Sequence, residues 1–430
     1  MAENTIREPA REIPVVDEVD VLVVGGGPAG IAASTAAARA GARTMLVERY
    51  GYLGGLATGG LVLYMDGLFD KTGERCIGGI HWESLERLRD LGGLAAQTPT
   101  RLHVDSELYK VVADNLCVES GVKLRLHCWA VDALVDEGRV TGVVVESKSG
   151  REAILADICV DATGDGDVAA RAGAAYDMAT MRIGLNLKVG GVDREAYQAF
   201  ASEYPDRIRS LRQDLIRSGG YPLGAGATPY SDAGVYWVNV IGLADRESSE
   251  EEKLTFDGEL SAVDVEDLTY AEVELRRRLV RSVNYYRAHM PGYENVQLLM
   301  FAPQLGVRDS RRVKGEHTLT LAEMEDGRVY DDAIGMTGRT FDVGRDTLHH
   351  LQVPYWALVP EAVDGLLVGG RCISVDDGLI GPIRIIPPCM MTGQAAGTAA
   401  AMAASAGIQP RAVDVTGLQR QLSVDGVILP

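Results

Sequence analysis

The segment from Val19 to Glu48 constrains the fold more than any other. Val19-Asp20-Val21-Leu22-Val23-Val24 is an almost unbroken β-branched run, the texture of a strand buried on both faces of a parallel sheet. Gly25-Gly26-Gly27-Pro28-Ala29-Gly30 breaks the run. Ile31 to Ala40 is then Ala-rich and helical with Gly41 as its stop, and Thr44 to Val47 is a second strand closing on Glu48. This is one complete β-α-β unit. Its loop fits G-x-G-x-x-G, with an acid 23 residues beyond the first glycine. Gly25 makes the tight turn, Gly27 lets backbone N–H groups approach a pyrophosphate, and Gly30 allows close packing of helix on strand. The helix that opens at Pro28 and Ala29 adds the positive end of its dipole. Glu48 is placed to accept hydrogen bonds from ribose hydroxyls.

The rest of the chain alternates in the same style. Apolar positions from Asp105 to Ser120 have helical spacing, followed by a strand over Val122 to Trp129. Val131 to Val135 and Val140 to Glu146 flank Asp136-Glu137-Gly138-Arg139 as a hairpin. Ala153 to Val160 supplies another strand. Between about 180 and 350 Arg, Glu and Tyr become frequent and a charged helix spans roughly Val265 to Met290. Gly365 to Gly369 restores the buried-strand texture, and Pro387 to Ala406 is a small-residue helix that Pro387-Pro388 can begin. We expect an α/β protein: a Rossmann-like three-layer domain made of residues 1–180 and 351–430, and an interleaved mixed α/β substrate domain over 181–350.

Composition removes several classes of function. With 61 acidic against 42 basic residues the net charge is −19, which repels phosphate backbones and anionic lipid, so neither nucleic acid nor a membrane surface is expected as a partner. Six cysteines never form C-x-x-C, which argues against a disulfide framework, an iron-sulfur cluster or structural zinc. No metal site is expected. The N-terminus has no apolar leader pattern and the Ala-rich run from Thr392 to Gly407 is too weakly hydrophobic to span a bilayer, so the expectation is a soluble, cytoplasmic protein.

The fingerprint alone does not separate NAD from FAD, but the continuation does. Glu48-Arg49-Tyr50-Gly51-Tyr52-Leu53-Gly54-Gly55-Leu56-Ala57-Thr58 extends the loop with more glycine, as a long dinucleotide across the sheet edge needs. With V-L-V-V-G-G-G-P-A-G-I-A-A at 21–33, D-A-T-G-D-G-D at 161–167, L-G-V-R-D-S-R-R at 305–312, L-L-V-G-G-R-C-I-S at 366–374 and G-Q-A-A-G at 393–397, the chain resembles the two-dinucleotide-motif FAD oxidoreductases of the glutathione-reductase-like fold. Most closely it resembles the FAD-dependent oxidoreductase family that includes subunits similar to heterodisulfide reductase A. The resemblance implies FAD held by Gly25, Gly27, Pro28, Ala29, Gly30, Glu48, Arg49, Gly54, Gly55 and Thr58. It puts Thr163, Gly164 and Asp165 near the dinucleotide, Arg371 or Cys372 at the pyrophosphate or ribitol, backbone groups of Trp129 or Ala130 at adenine, and Gly393 in the helix that reaches the flavin. The dipole of that helix, aimed at flavin N1 and the C2 carbonyl, favours the anionic reduced flavin.

A second nucleotide domain is missing. Gly224-Ala225-Gly226-Ala227-Thr228-Pro229 reads as a loop, since no strand precedes it and no acid follows at ribose distance. We therefore expect hydride transfer between a small organic substrate and flavin N5 with an electron donor or acceptor other than a nicotinamide, or, as the alternative, an FAD-containing electron-transfer subunit acting with a partner protein. Self-association into a homo-oligomer is left open. FAD is expected to be non-covalent, because Gly54 to Gly60 carries no histidine. Arg308 and Arg312, four apart and so on one face whether the segment is helical or extended, are candidates to grip a substrate carboxylate or stabilise reduced flavin, against a salt-bridge set with Asp309 and Glu316. Tyr64 and His81-Trp82 are candidates to line the pocket. His350, in His349-His350, is a candidate proton carrier, against a packing role. Cys372 and Cys389 read as inert buried thiols or as neighbours of the flavin.

Overall fold

The computed structural model describes residues 6, 8–70, 72–98, 101–246, 258–338 and 351–430. His349 and His350 lie outside these described residues. The β-branched run is the inner strand of a seven-stranded sheet, Val15–Val24, with Val21 to Val23 fully buried. Thr44–Val47 lies parallel on one side and Gly150–Asp161 on the other, so that Val24 stands level with Val47 and with Asp161. Leu366–Val368 joins in parallel, Val368 level with the same Asp161. Four segments distant in sequence thus end along one sheet edge, where ligands bind in sheets of this type. Lys123–Arg125 extends the sheet beyond Thr44–Val47, and the hairpin of Trp129–Asp136 and Arg139–Ser147 extends it antiparallel beyond Gly150–Asp161, with Gly138 at φ +82° in its turn.

The expected strand from Val122 to Trp129 is shorter in the structure. It stops at Arg125 because His127 adopts φ +55°, which no ladder accommodates, and a new strand begins at Trp129. Helices Pro28–Arg39 and Ile386–Ala406 pack along one another against the sheet. Their close approach depends on Gly393 and Gly397: a Cβ on either would run into the backbone of Ala29 or Ala33.

A second core surrounds an antiparallel sheet in the order Ala225–Gly226, Tyr236–Val238, Leu187–Gly190, Gln297–Phe301. The segment read as a loop at Gly224 to Pro229 therefore contributes a two-residue edge strand. Helix Val265–His289 closes this core. Asp264 accepts hydrogen bonds from the N–H groups of Glu266 and Asp267 at its start, and Ala271, Leu275, Leu279, Val283 and Tyr286 form its buried stripe. Leu61 and Leu63, far earlier in the chain, belong to this second core. Residues 311–338, allotted to the second domain by sequence, pack into the first: Val313, Leu319, Met324 and Ile334 are buried with the sheet and the last long helix. No helix among the described residues is long and apolar enough to cross a membrane.

Candidate functional site

A cleft opens along the carboxyl edge of the parallel strands and continues between the two cores, enclosing ≈ 2260 Å³ of empty space with its mouth included. One end is built by the glycine loop. Gly25 has φ +102° and a Cβ there would lie 2.5 Å from the Ala162 carbonyl oxygen, so only glycine makes this turn. Gly27 and Gly55 face each other across the cleft wall: a Cβ on Gly55 would stand 2.8 Å from the Gly27 Cα. Helix Pro28–Arg39 begins at Gly27 with no side-chain cap, leaving its first-turn N–H groups for a ligand. Bare backbone, no capping side chain and two glycines form a cradle that suits a pyrophosphate.

Glu48 sits beside it, nearly buried, its carboxylate accepting from the N–H of Gly26 at 2.6 Å and of Tyr50 at 2.8 Å. Burial pushes this carboxyl above the usual range, and the two N–H groups hold it back. Arg49, Trp129 and Ala130 line the same end, Trp129 with 56% of its surface exposed. The floor is a turn, Thr163-Gly164-Asp165. Asp161, fully buried, organises it by accepting from the Thr163 hydroxyl at 2.7 Å and from the Ala169 N–H at 2.9 Å. Burial lifts the Asp161 carboxyl to about 6.

Asp165 and Arg371 form an ion pair at 2.6 Å inside the floor, and Ser310 joins both, donating to Asp165 at 2.7 Å and accepting from Arg371 at 2.8 Å. Burial alone would raise the Asp165 carboxyl, but the adjacent guanidinium holds it below the ordinary value. Breaking this pair would leave a buried charge uncompensated.

Of the residues expected to hold the dinucleotide, Gly25, Gly27, Pro28, Ala29, Glu48, Arg49, Gly55, Trp129, Ala130, Thr163, Gly164, Asp165 and Arg371 line the cleft. Gly30, Gly54, Thr58, Cys372 and Gly393 do not; they support its walls from behind. A side chain on Gly30 would strike Gly25, the Gly54 N–H donates to the Gly26 carbonyl at 2.8 Å, and the Thr58 hydroxyl donates to the Leu53 carbonyl at 2.7 Å. Cys372 is fully buried with its thiol raised by burial, whereas Cys389 lines the cleft with its thiol pushed up to about 12 by the same cause. Neither thiol ionises readily.

The two candidate arginines separate. Arg308 lines the cleft, donating to the carbonyls of Arg182 at 2.7 Å, Ile241 at 2.6 Å and Val240 at 3.2 Å. Arg312 turns away, buried under the carbonyl of Val375 and paired with Asp377 and Asp309. The expectation that both share one face fails because the intervening Asp309-Ser310 is irregular and the strand begins only at Arg311. Glu316 pairs with Arg411 and takes no part. Tyr64 lines the cleft with its ring 5.6 Å from that of Trp237, while His81 is buried against Met390 outside it.

Several lining residues went unread in the sequence. Asn186, Asn239 and Glu272 come from the second core and carried no motif. Gln304, whose amide donates to the Gly55 carbonyl at 2.8 Å, stands one residue before the L-G-V-R segment, and that adjacency was its only signal. Arg384 falls between two quoted segments. Among the described residues no group of three or more metal-binding side chains occurs.

Parts of this chain are similar to known proteins. A tRNA uridine 5-carboxymethylaminomethyl modification enzyme of Wolinella succinogenes is 34% identical over 148 residues, which cover 31% of this chain and 22% of that one. Digeranylgeranylglycerophospholipid reductase 1 of Methanopyrus kandleri is 32% identical over 166 residues, 34% of this chain and 40% of that one. The chain thus matches well under two thirds of the length of these curated relatives. Among solved structures, a geranylgeranyl bacteriochlorophyll reductase-like protein of Thermoplasma acidophilum aligns with 95% of this chain and 83% of its own at 15% identity and a TM-score of 0.48. The model of the FAD dependent oxidoreductase family matches residues 20–422, nearly the whole chain, and the protein belongs to that family of FAD-dependent enzymes.

Proposed function

We propose that the protein passes a hydride between a carbon of a small organic substrate and N5 of FAD, with a side chain of the second core or of the loop after the cradle handling the accompanying proton. The observation that carries this reading is the continuity of the cleft. One wall set, from Glu48 to Gly55, suits the dinucleotide, and the same cavity runs on to Tyr64, Asn239 and Glu272 under the second core. FAD, when bound, supplies the electron-pair acceptor or donor. The chain supplies the rest: Gly27 and the helix start bind the diphosphate, Glu48 the ribose, and the walls from the second core exclude water and orient the substrate.

Tyr64, Asp66 and Glu272 line this part of the cleft and are titratable groups available to a substrate proton. Glu272 is raised above the ordinary carboxyl value by burial and restrained by Arg276, which places it nearer the range useful for acid-base work. Dehydrogenation is favoured over reduction, since no second dinucleotide loop is present to deliver electrons. The test is anaerobic mixing of the FAD-loaded protein with alcohols, amines and saturated carbonyl compounds while following flavin absorbance. Saturable bleaching by one class supports the reading. Bleaching only on addition of a second protein would move the function to electron transfer between subunits.

A further inference from the structure

Helix Val265–His289 is divided by charge. From Val265 to Leu275 it carries four acids and no base, and from Arg276 to His289 it carries five arginines and no acid. The helix dipole favours this direction, but its effect is confined to the first and last turns, whereas here the two halves meet in the middle.

The buried stripe of this helix faces the second core, and the opposite side is exposed. Glu266, Thr269, Val273, Val280, Asn284 and Arg287 lie on that side at helical spacing, Val273 with 41% and Val280 with 44% of its surface exposed. Read in reverse, the stripe is its own complement. When a second copy of the helix runs antiparallel to the first, with a two-fold axis between Arg276 and Arg277, Val273 meets Val280, Thr269 meets Asn284 and Glu266 meets Arg287, each contact made twice. The acidic half of each helix then lies along the basic half of the other. Arg276 and Arg277 meet like charges at the axis, but each has an acid in its own helix, Arg276 paired with Glu272 and Arg277 with Glu274 at 3.9 Å. Arg287 donates to the Val296 carbonyl and to Asn284, neutral groups that leave its charge uncancelled. A parallel pair sets like against like, and an acidic partner protein matches only the basic half.

We infer that the exposed face of this helix is the contact through which two copies of the chain form an antiparallel, two-fold symmetric dimer. Thr269 also lines the cleft, so Asn284 of the second copy stands at the rim of the cleft.

Charge reversal tests the register. Glu266 and Arg287 stand about 32 Å apart along one helix, so a rescue of one reversal by the other must pass between chains. The full chain with FAD is followed by sedimentation at low ionic strength, where exposed charges are least screened, as native protein, Glu266→Arg, Arg287→Glu, the double variant, and an equimolar mixture of the two single variants. Circular dichroism checks that each is folded. The expected result is a native dimer weakened about tenfold or more in each single variant and restored in the double variant. The mixture should form heterodimers, since a chain with two bases meets one with two acids. Val273→Lys, at an exposed site, should also dissociate the dimer by setting a cation against Val280 and its neighbouring arginines. A monomeric native protein, a dimer indifferent to both reversals, or single variants rescued neither in the double variant nor by each other overturns the inference. Should Arg287→Glu lose its fold along with the Val296 contact, Glu266→Arg and Val273→Lys decide: a dimer of native strength in either overturns it.

Discussion

At the scale of single residues, Glu48, which we propose as the ribose acceptor, is held in place before any ligand arrives. Its two oxygens already accept from Gly26 and Tyr50, which fixes the carboxylate at the loop. Glu48→Ala should weaken FAD by roughly 1–3 kcal/mol, the scale of hydrogen bonds to a charged group, as read by quenching of flavin fluorescence on titration. Unchanged affinity would remove the ribose assignment. His81 makes a different statement, about acid. Its ring is buried with Nδ1 3.0 Å from the Met390 sulfur, and burial lowers its pKa to about 3 from the ordinary 6.5. A lowered folded value means the unfolded chain binds the extra proton between these two pH values, so the stability is fully present above 6.5 and drains away as pH falls toward 3. Asp161 works the other way: its raised value of about 6 lets the folded state bind a proton first, which flattens the native profile at the acid end. Comparison with His81→Leu isolates the histidine. Denaturant unfolding with saturating FAD should show the native protein losing about 1.4 kcal/mol per pH unit relative to the variant below 6. Parallel profiles would mean that His81 titrates normally.

At the scale of elements, the crossing of the first and last long helices is where packing and ligand binding meet. Gly393 lies against the Ala29 backbone, and Ala29 lines the cleft. Gly393→Ala should therefore cost about 1–3 kcal/mol by overpacking and loosen FAD at the same time, seen as a lower melting temperature whose gap widens when FAD is added. A lowered melting temperature with native FAD affinity would show the crossing relaxes without reaching the loop. This crossing explains what could be read from sequence. The β-branched run, the Gly25 to Gly30 loop, the helix over Val265–His289 and the last helix were legible because each repeats a local pattern over many residues. The Lys123–Arg125 strand and the turn from Arg308 to Arg312 were misread because a single backbone conformation, at His127 or at Asp309-Ser310, decided the direction of everything after it. Local periodicity carries no record of such a break. Gly54, Thr58 and Gly393 were located on the right elements yet on the side facing away from the cleft, a difference of one rotation that a motif does not encode.

At the scale of the whole molecule, five parallel strands of one mixed sheet, drawn from separate parts of the chain, carry the single cradle of this kind found among the described residues. NADH and NADPH should consequently bleach the flavin slowly and without saturation under anaerobic mixing, since the second core is an antiparallel sheet with one long helix and, among the described residues, no glycine loop between strand and helix. Rapid, saturable bleaching would show that this core binds nicotinamide by other means. Acid precipitation should release the FAD into the supernatant; yellow colour kept in the pellet would reveal a covalent link.

The join between the two cores is made by the loop after the cradle. The Gln304 amide and N–H bind the carbonyls of Gly55 and Gly59, Asn186 binds those of Gly60 and Leu61, and Leu61 and Leu63 are swallowed by the second core. For anyone recombining such proteins, the useful unit is thus neither core alone. A chimera that imports residues 183–305 into another flavoprotein but leaves the host's own loop in place would arrive with a hole where Leu61 and Leu63 belong and with Gln304 and Asn186 facing foreign carbonyls. Residues 55–63 have to travel with the insert, although more than a hundred residues of chain separate the two.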